Sequence, residues 1–236
     1  MANSIMDEGK RRFDLGDNKY SLQDLMRLRE TESKQFGDGI AQRLKDNALK
    51  SIVGRSGILP IHQGCTVDNY VVNNEGQDFA RNFVVNYINN FNKNIGSGFA
   101  FSGNTGTGKN HLSAAICNAL MAQGKSCLVI TVPELMINMR KCYSDKPQCS
   151  EDEFIKRLIK FDLLVLDEIG LQKGSDHEKI VLNQIIDQRV GNLKPVGILT
   201  NLSPANVKTV LGERIFDRLK SNSSKWIPFN WESYRK

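Results

Sequence analysis

The residues of this 236-residue chain whose types and spacing could do chemistry are Gly103-Asn104-Thr105-Gly106-Thr107-Gly108-Lys109-Asn110, Asp167-Glu168, Asn201, and the pair Arg214 and Arg218. The first stretch has the composition of a phosphate-binding loop. Three glycines let a backbone turn its N–H groups onto phosphate oxygens, and Lys109 is long enough to reach the terminal phosphates. Asn110 stands where Ser or Thr normally places a hydroxyl on a magnesium ion. The Gly-x4-Gly-Lys spacing alone also fits a glycine-rich turn with no ligand, so the surrounding chain must decide.

Those surroundings have the form such a loop needs. Gly98-Phe99-Ala100-Phe101-Ser102 reads as a short buried strand, and Leu112, Ala115, Ile116, Ala119 and Leu120 keep helical spacing, so the loop joins strand to helix. Asp162-Leu163-Leu164-Val165-Leu166 is a second strand, and it ends in Asp167-Glu168. There a first carboxylate could hold magnesium and a second could orient or deprotonate an attacking water. The alternative is an Asp-Glu pair that caps the following segment. Asn201 closes the strand Val196-Gly197-Ile198-Leu199-Thr200 and could offer its amide to a phosphate or the water, or be a plain turn residue. Arg214 and Arg218 lie on one side of a helix, with Ile215, Phe216 and Leu219 facing elsewhere. They suit a guanidinium delivered to a neighbouring copy's phosphate, or ion pairs to Asp217 or Glu213 within the helix.

The elements that must position these groups alternate. Phe79, Ala80, Phe83, Val84, Tyr87, Ile88 and Phe91 make a helix with one buried face. Gly124 stops the helix after the loop, Cys127 to Val132 is a β-branched strand, and Pro133 opens a helix at its first position with Leu135, Met136 and Met139 inward. Ser150 and Glu153 form a capping box, a helix spans about 180–190, Ser203-Pro204 starts another, and Lys225 to Phe229 is the last strand. Alternation of this kind predicts an α/β fold, a parallel sheet covered on both faces, with ligands at the carboxyl ends of its strands.

Ahead of this core the chain changes character. Residues 1–20 are polar and lack a period, so no regular structure is expected until a partner orders them. Ser21 resembles a capped helix start, with Leu22, Leu25, Met26 and Leu28 as a narrow stripe; a second thin helix is carried by Ile40, Leu44, Ala48 and Leu49. Such helices bury too little to stand alone and should dock on this core or on a partner protein. The expected divisions are a helical partner-binding region (1–53), a linker and entry (54–70), and the core domain (71–236).

Bulk properties set limits. The 32 basic against 26 acidic residues, net +6, permit a nucleic-acid partner without requiring one. The five cysteines form no CxxC pair, which predicts reduced thiols rather than zinc or disulfides, with Cys142 and Cys149 the one pair to watch. No apolar run approaches the roughly 20 residues of a membrane span, which predicts a cytoplasmic protein with no membrane partner.

Taken together, the phosphate loop, Asp167-Glu168, Thr200-Asn201 and Gly212 to Arg218 resemble the AAA+ ATPases. Gly108-Lys109-Asn110-His111-Leu112, Asp167-Glu168-Ile169-Gly170, Arg55-Ser56-Gly57, His62-Gln63 and Asn230-Trp231-Glu232-Ser233-Tyr234-Arg235 more closely resemble the DnaC-type bacterial replicative helicase loaders, which share Asn110. The resemblance covers residues 45–235. It implies a P-loop AAA+ core on a parallel five-stranded sheet, a short helical N-terminal region, and a C-terminal lid absent or minimal. It also implies ATP and Mg2+ as cofactors and a weak ATPase stimulated by single-stranded DNA or a partner. The implied partners are the hexameric replicative helicase, single-stranded DNA and other copies of the AAA+ domain. Residue by residue, Gly103 to Asn110 with His111 would bind nucleotide, and Asn110 and Asp167 would hold Mg2+. Lys109, Asp167, Glu168, Asn201 as first sensor and Arg218 as finger would serve catalysis. Arg235 would be the second sensor, and Tyr143, Ser175, His177 and Arg214 would meet DNA. Alternatives are an IstB-type transposition ATPase and a non-catalytic adaptor switched by nucleotide.

Overall fold

A computed structural model describes residues 12–14, 19–21, 27, 56–91, 96–143, 149–170, 176–221 and 224–235. The chain forms two compact units, Met1–Lys50 and Ser51–Lys236. In the first, β1 (Arg12–Asp14) pairs antiparallel with β2 (Lys19–Ser21), Phe13 opposite Tyr20. This corrects the expectation that residues 1–20 lack regular structure. Backbone pairing of two three-residue strands needs no long apolar alternation. Ser21 therefore ends a strand instead of capping a helix, although Arg27 is helical. The leucine and isoleucine stripes of residues 22–49, other than Arg27, lie outside the described residues, as does Arg55.

The second unit is built on β3 (Phe99–Gly103), β4 (Cys127–Thr131), β5 (Leu163–Asp167), β6 (Val196–Thr200) and β7 (Lys225–Phe229), in the order β4-β5-β6-β3-β7 with every pair parallel. Seven helices appear among the described residues: α1 (Glu75–Asn89), α2 (Lys109–Ala122), α3 (Val132–Lys141), α4 (Glu151–Lys160), α5 (Asp176–Gly191), α6 (Pro204–Leu211) and α7 (Glu213–Ser221). Alternate strand residues divide between two faces, as a period of two requires. Phe99, Phe101, Leu163, Val165, Leu199, Ile227 and Phe229 join Ala80, Val84, Leu112, Ile116 and Leu120 of α1 and α2 in one core cluster. Ala100, Leu164, Leu166 and Ile198 are buried on the opposite side.

Local signals account for most boundaries. Asn74 and Gln77 cap α1 reciprocally, and Ser150 with Glu153 does the same for α4. Thr131 caps α3, so Val132 is its first residue and Pro133 its second, one position later than expected. Gly124 takes a left-handed conformation just beyond α2.

At the amino ends of the strands sits a polar network. Arg189 is fully buried and donates to the carbonyls of Leu158 (2.6 Å) and Pro195 (2.8 Å), fastening the end of α4 to the entry of β6. Beside it the Asp162 carboxylate accepts the Ser126 N–H and hydroxyl, both at 3.0 Å, and Lys194 at 3.3 Å. Burial alone would push the Asp162 carboxyl up, but these donors outweigh it and leave it below its ordinary value.

Candidate nucleotide site

The opposite ends of the same strands carry the chemistry. Gly103 ends β3 with φ of 139°, and a Cβ there would lie 2.2 Å from the Phe229 carbonyl oxygen, so only glycine lets the chain turn against β7. From there the loop runs to α2, which starts at Lys109. The Thr107 hydroxyl donates to the Asn104 carbonyl at 2.7 Å, and Lys109 Nζ reaches back to the carbonyls of Gly103 (2.7 Å) and Asn104 (2.6 Å). Lys109 is thus held across the mouth of its own loop. Burial lowers its ammonium pKa, while Asp167 opposes the shift.

Asp167 ends β5 beside that lysine. Its Oδ2 accepts the Asn110 amide at 3.0 Å and its Oδ1 accepts the Glu168 N–H at 2.7 Å. Burial, with Glu168 next to it, raises its pKa despite these donors and Lys109. Burial thus shifts both Lys109 and Asp167 toward their neutral forms, against the attraction between them. Glu168 has a φ of 59°, uncommon for a residue with a Cβ. Strain of this kind is held in place by its surroundings, here the hydrogen bond to Asp167 and the anchored turn that follows. Thr200, which sequence reasoning missed as a site residue, does that anchoring: its hydroxyl donates to the Ile169 carbonyl at 2.7 Å and accepts the Leu202 N–H at 3.0 Å. Asn201 is fixed beside Glu168 by this tie between β6 and the turn after β5.

These groups converge on a cleft of ≈ 470 Å³. Thr105, Lys109, Asn110, Asp167, Glu168 and Asn201 form part of its wall, and His62, Asn69, Tyr70, Val71, Tyr234 and Arg235 form a second part. Asn118 fixes the second wall by donating its amide to the carbonyls of His62, Gln63 and Cys65. His111 meets the Thr66 carbonyl at 3.0 Å and tilts against Tyr70, so it closes the wall beneath the loop. Burial, followed by the nearby His111 and Arg235, lowers the His62 pKa. Larger hollows of ≈ 740 Å³ and ≈ 770 Å³ lie along β7, lined mainly by apolar and amide groups without a paired Lys and Asp.

The chain after β7 brings Arg235 to the cleft. Trp231 Nε1 donates to the Thr107 carbonyl at 2.9 Å, the Tyr234 N–H donates to the Gly106 carbonyl at 2.9 Å, and the Tyr234 hydroxyl donates to Val71 O at 2.6 Å. This strap lies on the phosphate loop and carries Arg235 into the cleft wall. Tyr70, Asn69 and the strap contacts are not legible in local sequence, because each depends on residues far apart in the chain.

Other predicted residues lie elsewhere. Arg214 and Arg218 both bind Asp187 of α5, at 3.2 Å and 3.0 Å. α7 packs on α5, and Glu213 pairs with Lys208 of α6. Neither arginine lines the cleft of its own chain. Tyr143 and His177 do come together, ring centroids 6.2 Å apart, and the Tyr143 hydroxyl is bonded to Glu151, which with slight burial pushes it up to about 12. Ser175 lies outside the described residues. The five cysteines are reduced, with Cys142 and Cys149 Sγ 3.5 Å apart, and no cluster of metal ligands occurs among the described residues.

A parallel sheet in this order, with a phosphate loop after its β3 strand, an Asp-Glu pair after β5 and a polar residue after β6, defines the AAA+ P-loop class of ATPase folds. The crystal structure of the DnaC helicase loader superposes with a TM-score of 0.66, at 24% identity over 72% of this chain and 99% of that one. A profile described as IstB-like ATP binding protein matches residues 84–236. The replicative helicase loader DnaC of Escherichia coli K12 is 47% identical over 187 residues, 79% of this chain and 76% of its own. That of Buchnera aphidicola from Schizaphis graminum is 39% identical over 91% of this chain and 87% of its own. The chain belongs to the IstB-like ATP-binding family, and within it to the DnaC replicative helicase loaders.

Proposed function

We propose that this protein is an ATP-dependent loader that binds the hexameric replicative helicase and helps place it on single-stranded DNA. The observation that carries the reading is the convergence of Lys109, Asn110, Asp167, Glu168, Asn201 and Arg235 on one cleft, in a chain whose relatives are named helicase loaders. The transposition alternative has no comparable support among those relatives.

Within the cleft, the loop N–H groups and the α2 N-terminus receive a triphosphate, and Lys109 exchanges its two carbonyl partners for phosphate oxygens. The Asn110 amide N–H donates to Asp167 Oδ2 and ties the two side chains together, and the Asn110 Oδ1 and the Asp167 carboxylate are the oxygens that would hold Mg2+. When bound, that ion supplies positive charge against the phosphates. Glu168 orients the attacking water and accepts its proton, and Asn201 holds the water or the γ-phosphate by its amide. Hydrolysis is weak in one chain, and single-stranded DNA or the partner raises it. Arg218 leaves Asp187 to reach the nucleotide of an adjacent copy, while Tyr143, His177 and Arg214 contact the single strand by stacking and charge. The site of action is the cytoplasm.

The test is to mix the protein with the helicase and ATP and measure the mass of the product. A complex of helicase hexamer and loader is expected; no complex under any nucleotide condition rejects the reading. ATP binding without turnover, with or without single-stranded DNA, would replace it by the adaptor.

A further inference from the structure

We infer that Trp231 is a positioning residue for the phosphate loop, acting through its indole N–H on the Thr107 carbonyl; this rests on the nucleotide reading of the cleft. In a trans peptide the carbonyl of one residue and the N–H of the next point in opposite directions. No cis peptide is present among the described residues. The Gly106 carbonyl is turned toward the strap by the Tyr234 N–H, and the Thr107 carbonyl by Trp231 Nε1 at 2.9 Å and the Tyr70 hydroxyl at 3.4 Å. The N–H groups of Thr107 and Gly108 are therefore directed away from the strap, the orientation an anion-binding concavity of successive amides requires.

What fixes the strap makes this more than an incidental contact. The Trp231 ring packs at a tilt against Phe229, the last residue of β7, with centroids 4.7 Å apart. On its other side lies the start of α1, where a Cβ on Gly76 would come within 3.2 Å of the indole. Strand and helix thus hold the indole, and the indole holds the loop. Gly106 has φ of 79°, and a Cβ there would lie 2.0 Å from Ser233 Oγ, so the strap also explains why the loop carries glycine at that position. Residues 230–235 therefore do two things: they aim the loop amides and deliver Arg235 to the cleft.

Trp231→Phe keeps an aromatic ring against Phe229 and removes the donor. It should weaken binding of both ATP and inorganic triphosphate about fivefold, since one hydrogen bond to a carbonyl is lost while Tyr70 remains. KM for ATP should rise by the same factor with kcat within about twofold, as expected when an interaction common to ground and transition states is removed. Adding Tyr70→Phe should deepen the loss for triphosphate. If Trp231→Phe is poorly folded, Tyr70→Phe alone, which removes the weaker donor to the same carbonyl, should still lower triphosphate affinity measurably. Unchanged triphosphate binding in the folded variants overturns the positioning role, as does a loss in kcat with KM unmoved. Lys109→Ala distinguishes the two levels: if wild-type protein binds triphosphate no better than that variant, the nucleotide reading itself fails.

Discussion

The two ends of one sheet are built on opposite principles. At the amino ends, buried Arg189 and half-buried Asp162 have converging partners: Arg189 meets backbone carbonyls, and Asp162 is held below its ordinary value by Ser126 and Lys194. At the carboxyl ends, Lys109 and Asp167 are shifted toward neutrality, and Glu168 sits in a left-handed conformation. At the amino ends these groups fasten segments of the fold to one another, although burial lowers the Arg189 pKa too, to about 10; at the carboxyl ends the charged groups line an open cleft that a charged ligand can enter.

Mutations at the two ends should therefore separate function from stability. The largest effect is expected from Lys109→Ala: ATP affinity should fall at least about 100-fold, because the charged contact to the terminal phosphates is lost. Its melting temperature should stay level or rise, which isothermal titration and thermal melts check together. Arg189→Met should do the reverse. Leaving the Leu158 and Pro195 carbonyls without their donor should cost about 3 kcal/mol in denaturant unfolding, while ATP affinity of the folded protein stays the same. A Lys109 variant that unfolds, or an Arg189 variant that loses ATP affinity while folded, would break the comparison.

Smaller effects sharpen it. Glu168→Gly relieves the left-handed conformation and should gain up to about 1 kcal/mol of stability, less the entropy glycine loses on folding. It should abolish single-turnover hydrolysis with binding retained. The smallest effect is on pH dependence, where the two carboxylates have opposite signs. Asp162 has a lowered folded pKa, so its contribution is complete above the ordinary carboxylate value and is lost as pH falls through the folded one. Asp167 has a raised folded pKa, so its contribution is greatest below the ordinary value and is lost as pH rises through the folded one. Between about pH 6 and pH 3, Asp162→Asn should flatten the acid loss of stability and Asp167→Asn should steepen it, measured by chemical denaturation across that range.

The same contrast explains what the sequence makes legible. The phosphate loop, Asp167-Glu168 and Asn201 are readable because each is a short run at the end of an apolar strand, and parallel strands bring their carboxyl ends together. Capping boxes at Ser150 and the glycine after α2 are readable for the same local reason. Arg189 is not, since its partners are the carbonyls of two segments that meet only in the folded core. Tyr70 and the strap's hydrogen bonds are hidden likewise, being contacts between residues 70 and 107 or 107 and 231. The β1–β2 pairing escaped because three-residue strands carry too little side-chain pattern to be distinguished from polar coil.

One feature of the sheet bears on how copies could associate. β7 is one of the sheet's two edge strands, and its register directs the backbone groups of Lys225, Ile227 and Phe229 toward β3 and those of Trp226 and Pro228 outward. Proline has no N–H, so along this edge Trp226 offers the lone outward donor. A strand from another molecule could not zip onto it, so the sheet is protected from growth through β7. Contacts made on this side of the molecule must then come from helix and loop surfaces, which can open and close where a continuous sheet could not.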